Sequence, residues 1–248
     1  MALTETTDIG ALERAALNAV PAPRVAWDGG FVIRAFLGGT GRANAACSLD
    51  PAPDPGLEGR VTRIEAHYAR LGMPCCFRST PLDPPGLLGL LEGRGYREKE
   101  GALVMLGQVP AAEDPAARWL AGPEADWLSI LATAEHQGPA RRAEKEQALP
   151  LFARPAAWLV LEEGEEPAAC GHAVADGAWC GLFDLAVRPE FRRLGLGRRL
   201  LGALAGWGRR QGAETCWLQV APGNVNARRV YEAAGFREAY RYRYFMKG

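Results

Sequence analysis

The chain has 248 residues, of which 48% are hydrophobic and 23% charged, with 29 basic positions balanced by 29 acidic ones. That length lies between one large domain and two small ones, and the apolar fraction excludes a disordered chain. Zero net charge removes the electrostatic case for nucleic acid or an anionic membrane as the main partner.

Residues 1–20 predict a helix on the stripe Leu3, Ile9, Leu12, Ala16 and Val20, stopped by Pro21 and Pro23. Residues 30–36 predict a strand and 44–49 its partner, with Pro51, Pro53 and Pro55 making the loop that follows. The spacing of Val61, Ile64, Tyr68 and Leu71 predicts an amphipathic helix over 57–71. A short strand (75–78), a Leu-rich helix (85–94) and a strand (102–109) come next. Residues 110–123 are rich in Ala, Pro and acid and read as a linker, which divides the chain into 1–112 and 113–248. Beyond it, 124–136 and 140–152 predict helices. Strands over 157–162, 168–175 and 179–187 are joined by the hairpin signals Glu163-Gly164-Glu165 and Asp176-Gly177. A long helix, a strand (215–220), a helix (224–234) and a strand (240–246) complete a mixed α/β half that cannot be purely parallel.

No run of about 18 apolar residues is present, so no membrane span is expected. The opening MALTETTDIG lacks the basic and apolar regions of a secretion signal, which predicts a cytoplasmic protein. Six cysteines occur without a C-x-x-C pair or Cys/His ligand spacing, so reduced thiols and no metal are expected.

One segment concentrates chemistry. The strand ending at Val187 runs into a turn at Pro189 and then into Arg192, Arg193, Leu194, Gly195, Leu196 and Gly197, on which a helix opens. Unpaired N–H groups and the positive dipole end of a helix start, with glycines and Arg192, Arg193 and Arg198 around them, make a cradle for a pyrophosphate. It is neither a dinucleotide G-x-G-x-x-G, since position 200 is Leu, nor a P-loop. A second motif follows the next strand: Asn224, Ala227, Tyr231, Gly235 and Phe236. There Asn224 suits a helix N-cap, Gly235 suits its stop, and Ala227, Val230 and Ala234 are spaced to pack inward.

Together these motifs resemble the GNAT acetyltransferase superfamily. The run Val187, Pro189, Phe191, Arg192 matches its Val-x-Pro-x-Phe/Tyr-Arg. Arg192 to Gly197 matches its Arg/Gln-x-x-Gly-x-Gly/Ala, and Asn224 to Phe236 its Asn-x-x-Ala-x-x-x-Tyr-x-x-x-Gly-Phe. The resemblance covers residues 124–248 and implies acetyl-CoA as co-substrate. It implies that Leu185, Ala186 and Val187 offer backbone groups to the pantetheine on a strand that splays from its neighbour. It also implies that Arg192, Arg193, Leu194, Gly195, Leu196, Gly197 and Arg198 hold the pyrophosphate, that Asn224 contacts the cofactor, and that Tyr231 protonates the departing thiolate. Asp184, on the strand before the loop, is the candidate general base, with His172 second.

The first half lacks the Arg/Gln-x-x-Gly-x-Gly motif, and Leu91 stands where a tyrosine would. Its stretch Gly38-Gly39-Thr40-Gly41-Arg42 is Gly-rich, but no helix opens directly after it. This half is expected to be a degenerate GNAT-like domain that shapes the acceptor site. The expected activity is direct acetyl transfer to a primary amine of a small molecule or peptide, by a monomer or homodimer. The rival reading is a non-catalytic acyl-CoA-binding module.

Overall fold

The computed structural model describes residues 8–134 and 137–247. Asp8 starts helix α1 (Ile9–Ala19) by accepting the Ala11 N–H at 2.9 Å. The first seven residues of the helix predicted over 1–20 lie outside the described residues, as do the last two of that predicted over 124–136.

Two stretches of chain then follow the same order of elements. The first runs β1 (Arg24–Asp28), β2 (Phe31–Ala35), β3 (Ala46–Ser48), α2 (Leu57–Arg70), β4 (Cys76–Ser79), α3 (Leu87–Gly93) and β5 (Tyr96–Gly107). Between the stretches lie β6 (Ala117–Leu120), α4 (Ala125–Leu131) and α5 (Pro139–Ala148). The second stretch runs β7 (Ala156–Glu163), β8 (Glu166–Asp176), β9 (Trp179–Val187), α6 (Leu196–Arg210), β10 (Thr215–Val220), α7 (Val225–Ala233) and β11 (Arg237–Lys247). In both, two antiparallel pairings are followed by one parallel pairing across a helix, β3 with β4 and β9 with β10. The hairpins predicted at Gly164 and Gly177 are present as two-residue turns, with both glycines at positive φ.

The long last strands cross over. β11 pairs with β4, β5 pairs with β10, and the two pair with each other, all antiparallel. The result is one sheet of 11 strands in the order β1-β2-β3-β4-β11-β5-β10-β9-β8-β7-β6. The predicted boundary near residue 112 therefore divides the chain but not the sheet.

The predicted linker is a correction. It holds β6, which continues the sheet beyond β7, and it packs on α6. Ala112 donates its N–H to the Gly202 carbonyl at 3.1 Å, and a Cβ on Gly202 would stand 3.2 Å from that of Ala112. The Ala/Pro-rich residues 110–113 are exposed as their composition predicts, yet their small side chains let the chain run close along α6. β1 was also missed, because its mixed pattern at a sheet edge carries little periodicity.

Helix α6 covers one face of the sheet through Leu196, Leu200, Leu201 and Leu204 against Leu159, Ala173, Cys180 and Leu182. On the other face, α1 packs on Val174, Phe183 and Trp217, and α4 on Val160, Cys170 and Ala186. A buried ion pair joins Glu13 of α1 to Arg78 of β4, and the Tyr240 hydroxyl of β11 donates to Glu13. The six cysteines are free thiols, five of them buried. Among the described residues no helix is long and apolar enough to cross a membrane.

Candidate active site

The site is built on the second parallel pair. β9 and β10 pair only from Trp179↔Thr215 to Gly181↔Trp217, after which the strands part. On its other side β9 stays with β8, through Ala186↔Cys170 and Val187↔Ala169. The register slips by one residue between Phe183 and Ala186, so Asp184 and Leu185 together oppose Gly171. Asp184 takes a left-handed φ of 53° in this bulge, and the Gly171 carbonyl is answered by the indole N–H of Trp127 at 2.9 Å. Leu185 and Val187 return to the α6 face, leaving the β10-facing edge of residues 185–187 without a strand partner. Those are the backbone groups that the family resemblance assigns to the pantetheine.

The loop after β9 rises to α6 through Arg192, Arg193 and Leu194, all exposed. Arg193 has φ 67°, and Gly195, the residue before the helix, has φ 79°. Among the described residues, Asp184 and Arg193 are the two non-glycine positions in left-handed φ, and both fall within the predicted site. The left-handed turn at Gly195 is one that a side chain would strain, whereas a Cβ at Gly197 would make an ordinary 3.6 Å contact with Val230. The first N–H groups of α6 have no intrahelical acceptor. Arg192, Arg193 and Arg198 make no ion pair among the described residues. Arg199, by contrast, is spent on Asp114 at 2.8 Å and Glu163 at 3.1 Å, so it adds nothing to the cradle.

Helix α7 buries no residue fully. Asn224 caps it by accepting the Ala227 N–H at 3.1 Å, so its side-chain oxygen is engaged in the helix start and only its NH2 group is left for a ligand. Val230, expected to pack inward, is instead 41% exposed, and a Cβ on Gly197 of the loop would touch it at 3.6 Å; Leu194 of the loop and Val225 at the start of α7 are exposed as well. Exposed apolar side chains on the loop and on α7, beside a cationic, N–H-rich turn, suit a ligand that is part anion and part chain, so these residues fit coenzyme A. Tyr231 lies half-buried against the cluster that holds Leu185 and Val187, with its ring 6.1 Å from that of Phe236. Burial pushes its hydroxyl pKa up to about 12, so it keeps its proton through the neutral range.

Where β9 bends, a cavity opens on the face opposite α6. It is lined by Phe183 and Asp184 of β9, by Trp127, Trp158, Phe152 and His172, by Arg141, Glu144 and Lys145 of α5, and by Phe36, Thr40 and Arg42 of the first half. The Gly-rich stretch at 38–41 is a seat rather than a cradle. A Cβ on Gly39 would stand 2.6 Å from the Arg141 backbone, and one on Gly41 would stand 2.5 Å from the Tyr244 ring. Glu144 completes that seat by accepting the N–H groups of Leu37 and Gly39 and the Asn44 amide.

The Asp184 side chain is buried and ion-paired with Lys145. Burial would raise its pKa, but Lys145 and His172 outweigh it and hold the carboxyl well below the usual range. A carboxylate so bound has little affinity for a proton, which argues against the general-base role expected of it, directly or through a water. His172 Nδ1 is 3.3 Å from Asp184 Oδ2, short of hydrogen-bond alignment, and its ring is stacked between Trp158 and Phe183. Burial lowers the His172 pKa against the pull of Asp184, so the imidazole is neutral at pH 7.

The family model described as "Probable histone acetyltransferase Rv0428c C-terminal" matches residues 6–245. The chain belongs to this family. It is 25% identical to an uncharacterized N-acetyltransferase, YobR, of Bacillus subtilis (strain 168), over 97% of the chain and 99% of that relative. In solved structures the fold resembles a GCN5-related N-acetyltransferase from Kribbella flavida, with a TM-score of 0.69 at 17% identity over 99% of this chain and 96% of that one. It also resembles a tandem GNAT protein from the clavulanic acid biosynthesis pathway, with a TM-score of 0.61 at 14% identity over 94% and 85%. The chain is thus an acetyl-CoA-dependent N-acetyltransferase of GNAT type, and its mixed open sheet is the GNAT sheet. Nothing in the sequence marks Arg42, Arg141 and Lys145 of this acetyltransferase as members of one site. They come from segments about 100 residues apart, and only the fold brings them together.

Proposed function

We propose that the enzyme transfers the acetyl group directly to a primary amine held in the cavity between the first half and β9. The observation that carries this reading is the parting of β9 from β10 beyond Gly181. It places an open strand edge between the arginine loop and the cavity. Acetyl-CoA supplies an acetyl thioester there. The loop 192–198 binds its pyrophosphate, residues 185–187 align its arm, and Leu194, Val225 and Val230 cover its apolar parts. The amine nitrogen forms the new C–N bond as the C–S bond breaks. Tyr231, still protonated at neutral pH, gives its proton to the departing sulfur. Neutral His172, steadied by Asp184, takes the proton that the amine loses, the contact tightening once the acceptor is bound.

We also infer that residues 1–112 are a degenerate GNAT-like copy and 113–248 the catalytic one. The repeated element order and the exchange of β5 with β11 support this. In this reading the first half supplies the far wall of the acceptor cavity through Phe36, Thr40 and Arg42. The test is release of coenzyme A from acetyl-CoA across amines, for the wild type and Tyr231→Phe. Turnover that falls about 10²- to 10³-fold in the variant, with coenzyme A binding retained, supports the reading. Wild-type binding without any turnover would instead favour the non-catalytic module.

A further inference from the structure

We infer that the acceptor carries a carboxylate on an aromatic or similarly flat apolar body, and that Arg141 and Arg42 bind that carboxylate. The inference rests on the cavity being the acceptor site. Three cations and two carboxylates line it, which leaves a net charge of +1 on Arg42, Arg141, Lys145, Glu144 and Asp184. Asp184 is committed, and Glu144 is committed through one oxygen, its Oε2 being buried without a hydrogen-bond partner among the described residues. Asp184 is matched by Lys145, and Glu144 Oε1 by the Leu37 and Gly39 N–H groups and the Asn44 amide.

The two arginines lack such partners. Arg141 reaches Asp184 only at 3.9 Å, and its Nε is buried with no acceptor. Arg42 has one long bond, 3.4 Å, to Gln219 of β10, and otherwise lies over the Phe183 ring at 5.5 Å. The Arg141 side chain is 26% exposed, but its Nε is buried without an acceptor, and a donor left so is costly; a bound carboxylate is the group that relieves it most fully. The larger side chains of the remaining wall are aromatic, Phe36, Trp127, Phe152, Trp158 and Phe183, with small apolar residues of α1 and its C-terminal turn beside them. The same positive charge disfavours an ammonium, so a neutral amine is favoured as the bound form. A polyamine or a lysine-rich protein tail, with several positive charges and no carboxylate nearby, is the wrong complement.

The test uses the full chain and matched pairs. Transfer is compared for phenylalanine and tryptophan against phenethylamine and tryptamine, which lack only the carboxylate, and against a lysine-rich basic peptide. Binding of 3-phenylpropionate and of 3-phenylpropan-1-ol is measured separately by calorimetry, without acetyl-CoA. The acids should be preferred by about 10- to 100-fold in kcat/KM, and 3-phenylpropionate should bind more tightly than the alcohol by a similar factor. Arg141→Gln should abolish both preferences, and Arg141→Lys should restore part of them. Equal or better transfer to the decarboxylated amines or the basic peptide overturns the inference, as does a preference untouched by Arg141→Gln. If nothing is acetylated, the acetyl-transfer reading of the site fails by itself. The binding pair then decides alone, and failure of 3-phenylpropionate to outbind the alcohol overturns the inference.

Discussion

The unit β9–α6–β10 and its counterpart β3–α2–β4 follow the same path, yet one is open to a ligand and the other is closed. Before α6 the chain turns through left-handed Arg193 and Gly195, with three exposed arginines outside any ion pair. Before α2 it passes Pro51, Pro53 and Pro55, and Gly56 has an ordinary negative φ of −98°. Asp54 accepts the Gly56 N–H at 2.9 Å and draws in Arg60, so the positive groups there already have their anion. Both parallel pairs are brief, the first joined only at Ala46↔Phe77. Beside β3, the buried Arg78 lies 3.9 Å from the Cys47 sulfur and is paired with buried Glu13. The shared architecture therefore does not create the site. What creates it is a set of cations and N–H groups left without internal partners.

The closed side gives the largest expected effect. Glu13 and Arg78 are both almost wholly buried, so Glu13→Ala strands a charged guanidinium and removes the Tyr240 hydroxyl's acceptor. Breaking a buried pair in this way should cost about 3–5 kcal/mol of stability in denaturant unfolding. The KM for acetyl-CoA of the remaining folded enzyme should be unchanged. A KM that moves several-fold would mean that the closed side helps bind the cofactor, and the contrast would fail. On the open side, Tyr231→Phe should lower kcat by about 10²- to 10³-fold with little change in stability, because the lost hydroxyl makes no hydrogen bond among the described residues. Retained kcat would remove Tyr231 from proton transfer.

Next in size is the turn itself. Gly195→Val forces a branched side chain into φ 79°, where nothing stands within 4 Å to clash. The damage is thus conformational, and the loop should relax away from its cradle geometry. The KM for acetyl-CoA should rise about tenfold or more, while acceptor KM stays near the wild-type value. Gly197→Ala, with only an ordinary contact to meet, should be nearly silent. If both variants behave alike, backbone conformation is not what distinguishes this loop from the one before α2.

How much of this could be read beforehand follows from range. The strand over 179–187, the strand over 215–220 and the loop between them were legible because motif and periodicity are local. The crossing of β5 and β11 was not legible, since strands that pair across about 140 residues leave no local mark. The inward face assigned to Val230 failed because helical spacing marks an apolar stripe without saying whether protein or ligand covers it. Asp184 was placed correctly on its strand, but its partner Lys145 is 39 residues away in a polar helix, so the sequence could not show the carboxylate already bound.

The smallest effect separates His172 from the surrounding aromatic wall. Its pKa is lowered by burial, and Asp184 only partly compensates. Between the ordinary histidine value, 6.5, and the lower folded value, the unfolded chain binds a proton that the folded chain does not. Stability must therefore fall as pH drops below about 6.5, by at most about 1.4 kcal/mol per pH unit from this residue, and the loss ends once the folded pKa is passed. Above 6.5 the residue contributes no pH dependence. His172→Phe keeps a flat ring between Trp158 and Phe183 but cannot titrate, so its unfolding free energy should decline less steeply than the wild type between pH 6.5 and 5. Asp184 acts in the same direction but lower on the scale. Its folded pKa lies below the ordinary 3.8, so the stability it lends is lost only as pH falls below that value. A wild type and variant with parallel pH profiles from 6.5 to 5 would mean that His172 titrates alike in the folded and unfolded chain, so that its burial between the two rings does not lower its affinity for a proton.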